Sequence, residues 1–147
     1  MFLINNTNIW QTKFKFSPIY KHPDVNIIAE NRAKACQSSG YKFAIMEPGL
    51  GKSMNKTFSF LIKESTSNWL ALGFCHKKVV ESKAYSFSFG SIGHGAYMMS
   101  ANGGSWSHTK TEYNNTVKAI KFVKGDVVHV SIDHTTEKIL FTKNKTS

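Results

Sequence analysis

Six histidines give this sequence its widest range of chemistry, because imidazole binds transition metals and transfers protons near neutral pH. They form no HxH or HExxH spacing on one element. His129 lies on the opposite face of a strand pattern from Val128, which indicates a surface or second-sheet position rather than a ligand. A fold could bring His76, His94 and His108 together across loops, but the sequence assigns no metal. The six are His22, His76, His94, His108, His129 and His134.

Residues 49–53, GLGKS, imitate the end of a phosphate-binding loop, in which glycine amides cradle phosphate and the lysine contacts it. The motif also needs a glycine five positions before Gly51, where this chain has Met46. It further needs a helix after the lysine, and here a strand pattern follows Thr57. The sequence therefore argues against nucleotide binding, and no cofactor is expected.

Catalytic groups are scattered along the chain. The nine carboxylates form no spaced pair, and Asp126 and Asp133 lie at turns, where side-chain oxygens accept backbone hydrogen bonds. No serine lies in a GxSxG elbow. The thiols Cys36 and Cys75 have no CxxC spacing, and we expect both to be buried. Cys75, in an apolar strand, is expected to be unreactive. The sequence predicts a protein that is not an enzyme.

Trp106 lies in a polar, glycine-rich stretch, NGGSWSH, where burial of an indole needs support from elsewhere. Two interpretations are open. An exposed Trp106 would be an anchor for a bound peptide, since tryptophan is a frequent energetic centre of interfaces. Alternatively, it begins a strand and packs inward. Trp69 begins an apolar run and is predicted to lie in the core.

Composition and charge bound the possible partners. The 147 residues fit one domain, and the 41% hydrophobic fraction excludes a disordered chain. The net charge of +10 would suit a nucleic acid, but Arg32 is the only arginine and the lysines are dispersed, which favours a solvated surface. No apolar run is long enough to span a membrane, and the N-terminus has no signal-peptide pattern. We expect a cytoplasmic protein, with the nucleus as an alternative.

The elements that must position these residues are strands. Residues 122–144 alternate twice around the short polar segment 134–137, which predicts an antiparallel hairpin with Val128, Val130 and Ile132 on one face. Residues 27–37 also suit a helix, but their place between strands favours a hairpin. The first strand is expected to end at Ser17-Pro18. The other predicted strands are residues 10–16, 25–29, 41–46, 58–63, 69–75 and 85–89.

The segment FxxGDVVxVxID followed by KILFTKN resembles the C-terminal half of a SPRY domain. The stretches at residues 96–106 and 69–75 are similar to the tryptophan-containing turn and the apolar strand of that family. The resemblance covers residues 57–144, and the N-terminal strands fit only by pattern. It implies an all-β, concanavalin-like jelly-roll sandwich of two antiparallel sheets. The family continues for about two more strands, so the implied sandwich lacks its last strands and has open edges.

The resemblance implies a module that recognises a partner protein or peptide through loops at one edge of the sandwich, in the manner of a ubiquitin-ligase adaptor or a scaffold. By loop position it places the contacts at residues 76–78, 91–94 and 105–108, with a tyrosine nearby. The expected partner-binding residues are His76, Lys77, Lys78, Ser91, His94, Ser105, Trp106, His108 and Tyr113.

Two alternatives come from other classes. A lectin-like module would stack a sugar ring on an aromatic such as Trp106, although no calcium ligands are evident. A basic RNA-associated module would bind through lysines and weaken steeply with salt. Nucleic acid is therefore a less favoured partner than a protein, and no membrane partner is expected.

Overall fold

The computed structural model describes residues 13–36, 40–51, 53–65, 69–88, 92–117 and 120–144. Within these ranges the fold is all-β, with antiparallel sheets and little helix. The strands are β1 Lys15–Lys21, β2 Val25–Ala29, β3 Arg32–Ala35, β4 Tyr41–Lys42, β5 Ala44–Glu47, β6 Lys56–Leu61, β7 Ala71–Cys75, β8 Ser86–Phe87, β9 Ala96–Ser100, β10 Gly104–Trp106, β11 Thr116–Val117, β12 Val127–Asp133 and β13 Lys138–Asn144. The helix α1 is Lys77–Ser82, and a 3₁₀ turn is Thr111–Tyr113.

The two largest sheets of the described residues have the orders β11-β10-β9-β7 and β13-β12-β6. Three further pairs are β1-β5, β2-β3 and β4-β8. Both large sheets contribute side chains to one apolar group, which we call the central cluster. Its buried members are Phe16, Phe60, Ile62, Leu72, Met99, Ala101, Phe122, Val128 and Val130.

Strand β9 has apolar residues on both faces because a buried cluster covers each face. Met99 points into the central cluster, whereas Ala96 and Met98 point into a second group, the outer cluster, with Phe87 and Trp106. The same period of two divides β7, where Leu72 joins the central cluster and Ala71 packs against the outer one. The outer cluster lies under the loops that follow β7, β8 and β10.

The C-terminal hairpin forms as predicted. Strand β12 pairs with β13 along its length, with Val130 opposite Phe141, and Val128 and Val130 are buried. Asp126 and Asp133 accept backbone hydrogen bonds at the turns, as expected. His129 is half-buried on the other face and hydrogen-bonds Ser59. The predicted hairpin within residues 27–37 is also confirmed by β2 and β3.

Several predictions of the N-terminal half are wrong. Strand β1 runs through Pro18, and its register with β5 shifts between Phe16 and Lys21, which spares the proline a ladder hydrogen bond. The predicted strand 41–46 is divided at Phe43 into β4 and β5, which pair with different strands. Cys36 is exposed rather than buried, because it follows the last residue of a two-stranded sheet.

No helix in the described part of the chain is long and apolar enough to cross a membrane. The longest described helix, α1, has six residues. It lies where the sequence predicted a loop, so Lys77 and Lys78 are helical rather than loop residues.

Candidate functional site

His76 connects β7 to α1 and begins the candidate site. Its backbone N–H donates to the carbonyl of Gly95 at 2.7 Å, and its own carbonyl accepts from Val79 and Val80 in the first turn of the helix. Val80 is fully buried and fixes the helix against the sheet. Gly95 has a φ of +86°, and a Cβ there would lie 2.8 Å from the side chain of Val79, so the close packing of this loop on α1 requires glycine.

The two lysines of α1 have different environments. Lys77 lies with its ammonium 3.0 Å from the ring centroid of Tyr20 and 3.9 Å from a carboxylate oxygen of Glu47, so it fastens the helix to β1 and β5. Lys78 is exposed. Of this pair, Lys78 is therefore the residue available to a partner.

His108 joins the loop before β9 to the loop after β10. Its carbonyl accepts from the N–H of Gly93 at 2.8 Å, and its Nδ1 accepts from the N–H of Gly95 at 2.9 Å. Its ring centroid lies 5.2 Å from that of His76 and 6.1 Å from that of Tyr97. Three segments that are distant in sequence are thereby held at one surface.

His94 lies beneath this surface, and only 2% of it is exposed. Its Nδ1 accepts from the N–H of Ala96 at 3.2 Å, and its Nε2 lies 3.2 Å from Oδ1 of Asn114. The same Oδ1 accepts from the N–H of Ser107 at 2.8 Å. An Nδ1 that accepts leaves the proton on Nε2, so His94 is neutral in this arrangement.

Burial lowers the pKa of His108 below its ordinary value, and its electrostatic interactions with His76, His94 and Lys83 lower it further. The three histidine rings do meet, with 6.3 Å between the centroids of His94 and His108. Nevertheless, the described residues include no group of three or more His, Cys, Asp or Glu placed to hold a metal ion. Internal hydrogen bonds engage both ring nitrogens of His94 and the Nδ1 of His108.

Trp106 packs inward, which is the second of the two interpretations that its sequence left open. It is 3% exposed, its Nε1 donates to Oγ of Ser100 at 3.1 Å, and its ring contacts those of Trp69 and Phe87. An exposed anchor at this position is therefore wrong. The buried hydroxyl of Ser100 accepts the hydrogen bond that allows the indole of Trp106 to be buried within a polar stretch of sequence.

Ser105 and Tyr113 complete the surface. The hydroxyl of Ser105 donates to the carbonyl of Tyr113 at 2.8 Å, which ties β10 to the 3₁₀ turn. Tyr113 is 37% exposed, and the ammonium of Lys110 lies 5.6 Å from its ring centroid. Ser91 lies outside the described residues. We call the described surface, residues 76–78, 92–95, 105–108 and Tyr113, the loop face.

A cavity of about 280 Å³ opens beside His94. Sequence reasoning missed it, although the alternation of serine with phenylalanine at residues 85–89 placed two hydroxyls on one face of the predicted strand. Its described lining residues are Lys83, Ser86, Phe87, Ser88 and His94.

A thiol and a hydroxyl lie at the loop face or next to it, those of Cys75 and Ser107. Burial raises the pKa of Cys75 to about 11, so this thiol is protonated at neutral pH. The hydroxyl of Ser107 accepts from two backbone N–H groups, so it caps a turn. The exposed groups are cations, an aromatic ring and an imidazole.

No family model, curated protein or solved structure matches this chain.

Proposed function

We propose that this protein is a non-catalytic interaction module of SPRY type, which recognises a segment of a partner protein through the loop face. The resemblance of residues 57–144 suggests the family. The shared central cluster is compatible with a two-sheet sandwich of concanavalin-like topology, because each large sheet buries one face against it. The parent assembly would be a ubiquitin ligase or a scaffold, and the cytoplasm or nucleus its location.

The observation that supports this proposal best is the joining of distant loops by hydrogen bonds. Backbone and ring atoms of His108 bind two glycines of the loop before β9, and His76 binds the same loop. Such a surface is ordered before a partner arrives, so little conformational entropy is lost on binding. His76, Lys78 and Tyr113 are exposed on it, and the cavity adjoins it.

The alternative functions have less support. The aromatic that a lectin-like site was expected to use, Trp106, is buried, and Tyr113 is the exposed aromatic residue of the loop face. An RNA-associated surface needs clustered free cations, but several described lysines are paired with carboxylates. These pairs include Lys13 and Lys15 with Glu30, Lys34 with Glu64, Lys42 with Asp24, Lys77 with Glu47, and Lys143 with Asp126.

A peptide library displayed on phage tests the proposal directly. We expect the immobilised protein to select peptides with a shared motif, whose binding weakens little between about 50 and about 300 mM NaCl. The double substitution His76→Ala with Lys78→Glu should weaken that binding about tenfold or more, as loss of central interface contacts does. The matched control is Lys138→Glu, an exposed charge reversal on β13 of the other large sheet.

Two results would contradict the proposal. The first is selection of no peptide, or of peptides whose affinity the double variant leaves unchanged. The second is retention of nucleic acid alone, lost as salt rises, which would favour the RNA-associated alternative.

A further inference from the structure

The cavity beside the loop face has a cationic rim. Lys83 follows the last residue of α1, is exposed, and lines the cavity. No carboxylate of the described residues lies within ion-pair distance of its ammonium. The described lining residues include no aspartate or glutamate. An anion that enters the cavity would therefore meet Lys83 without displacing an internal partner.

The same rim has hydroxyl donors and an apolar base. Ser86 and Ser88 line it, and both residues are exposed. Neither hydroxyl has a hydrogen bond within the described part of the chain. Phe87 between them is buried, and its ring contacts those of His94 and Trp106. Lys83, the two hydroxyls and the apolar base together fit a side chain with a short aliphatic part and an anionic hydrogen-bond acceptor at its end.

No acidic residue among the described lining residues offsets the charge of Lys83. Glu81, two residues earlier, accepts a hydrogen bond from the hydroxyl of Tyr85. His76 is exposed at the other end of α1 from Lys83. The charge of the region therefore favours an anionic group over a neutral or cationic one.

We propose that an aspartate or glutamate side chain of the bound segment occupies this cavity, with its carboxylate at Lys83 and the hydroxyls of Ser86 and Ser88. This inference rests on the proposed function. One side chain fits within the volume of about 280 Å³, which lies at the lower end of the range of about 300 to 1,000 Å³ for small-ligand pockets. A carboxylate matches the single charge of Lys83 better than a phosphate monoester, which carries a charge of about −1.5 to −2 at neutral pH.

Titration followed by NMR of the ¹⁵N-labelled protein tests the inference with defined probes. The probes are N-acetylglutamate N-methylamide, its glutamine counterpart and its phosphoserine counterpart, at constant ionic strength. We expect the glutamate compound to shift the amides of residues 86–88 and 93–96 and the glutamine compound to leave them unchanged. Lys83→Gln should weaken the glutamate compound about fivefold, as expected for a partly exposed ion pair, and Lys138→Gln should not. The spectra also report whether each variant is folded.

Three outcomes would overturn the inference: no shift with the glutamate compound, an equal shift with the glutamine compound, or equal affinity in Lys83→Gln. Shifts with phosphoserine alone would assign the cavity to phosphorylated segments instead.

Peptide selection separates this inference from the proposed function. Selected peptides without acidic residues would leave the interaction role standing and refute the carboxylate. Selection of no peptide, with the glutamate shifts present, would refute the interaction role alone.

Discussion

His108 is the single residue that most determines the shape of the loop face. Its ring accepts the N–H of Gly95 through Nδ1, which is possible only while that nitrogen carries no proton. Protonation of Nδ1 would break this hydrogen bond, because the N–H of the imidazolium would then face the N–H of Gly95. The integrity of the junction between the loops before β9 and after β10 therefore depends on a neutral imidazole.

The pKa of His108 predicts how stability changes with pH. Because the pKa in the folded state is below the ordinary value of 6.5, the unfolded chain binds more protons as the pH falls through this window. The contribution of His108 to stability is complete above 6.5 and is lost as the pH falls through the folded-state pKa. We expect urea midpoints to fall from about pH 7.5 to about pH 5.5, and to fall less in His108→Gln.

The control for this prediction is His134→Gln, in the exposed turn of the C-terminal hairpin. It should keep the pH dependence of the natural protein. An identical dependence in all three proteins would show that His108 is not responsible. The comparison uses the change with pH, so a constant loss of stability in His108→Gln does not affect it.

Individual residues differed in how far sequence predicted them. The outward position of His129 followed from its alternation with buried valines, because strand geometry decides it locally. Trp106 could not be decided, because its burial depends on Ser100, Trp69 and Phe87, which other strands bring to it. The meeting of His76, His94 and His108 was recognised as an option, but loop pairing decided it.

At the scale of elements, strands β7 and β9 approach each other unusually closely at Gly73. A Cβ at this position would lie 2.0 Å from the carbonyl oxygen of Tyr97 and 2.8 Å from Cα of Met98. Both atoms belong to the backbone and cannot rotate away. This close approach of the two backbones explains why the strand has glycine at residue 73.

Substitution of Gly73 tests this close approach. Gly73→Ala should separate β7 from β9, between the two apolar clusters, and lower the free energy of unfolding by about 3 kcal/mol or more. Gly49→Ala is the matched control, because no heavy atom lies within 4 Å of the added Cβ. Its effect should stay within about 0.5 kcal/mol. Urea unfolding followed by circular dichroism measures both, and similar midpoints for the two variants would refute the steric argument.

Helix α1 shows why one element escaped prediction. Its six residues, KKVVES, include two β-branched valines and are too few to reveal a helical period. The helix exists because Val80 is buried and because His76 and Gly95 hold its first turn, which are tertiary effects. The C-terminal hairpin, in contrast, was predicted correctly because its alternation and short turn are both local.

At the scale of the whole molecule, the net charge of +10 opposes the compact state through repulsion. The ion pairs between exposed side chains offset little of this repulsion, since such pairs contribute about 0 to 1 kcal/mol each. Salt screens the long-range repulsion within a Debye length of about 8 Å at physiological ionic strength. The protein should therefore become more stable as salt is added.

Urea midpoints at about 20 and about 300 mM NaCl measure this effect. We expect the midpoint to rise with salt in the natural protein. It should rise less in the double variant Lys121→Glu with Lys138→Glu, which replaces two exposed lysines by acids and so lowers the net charge. A midpoint that falls with salt would mean that the ion pairs outweigh the overall repulsion.

The pairing of β6 with β12 has a consequence for synthesis of the chain. Ser59 and His129 meet across these strands although 70 residues separate them. At roughly 5 to 20 residues per second, a ribosome needs several seconds to add the missing partner. During that time the apolar residues of β6, Phe58 and Phe60, have no β12 beside them. Nascent β6 is therefore the segment that we expect to depend most on a chaperone.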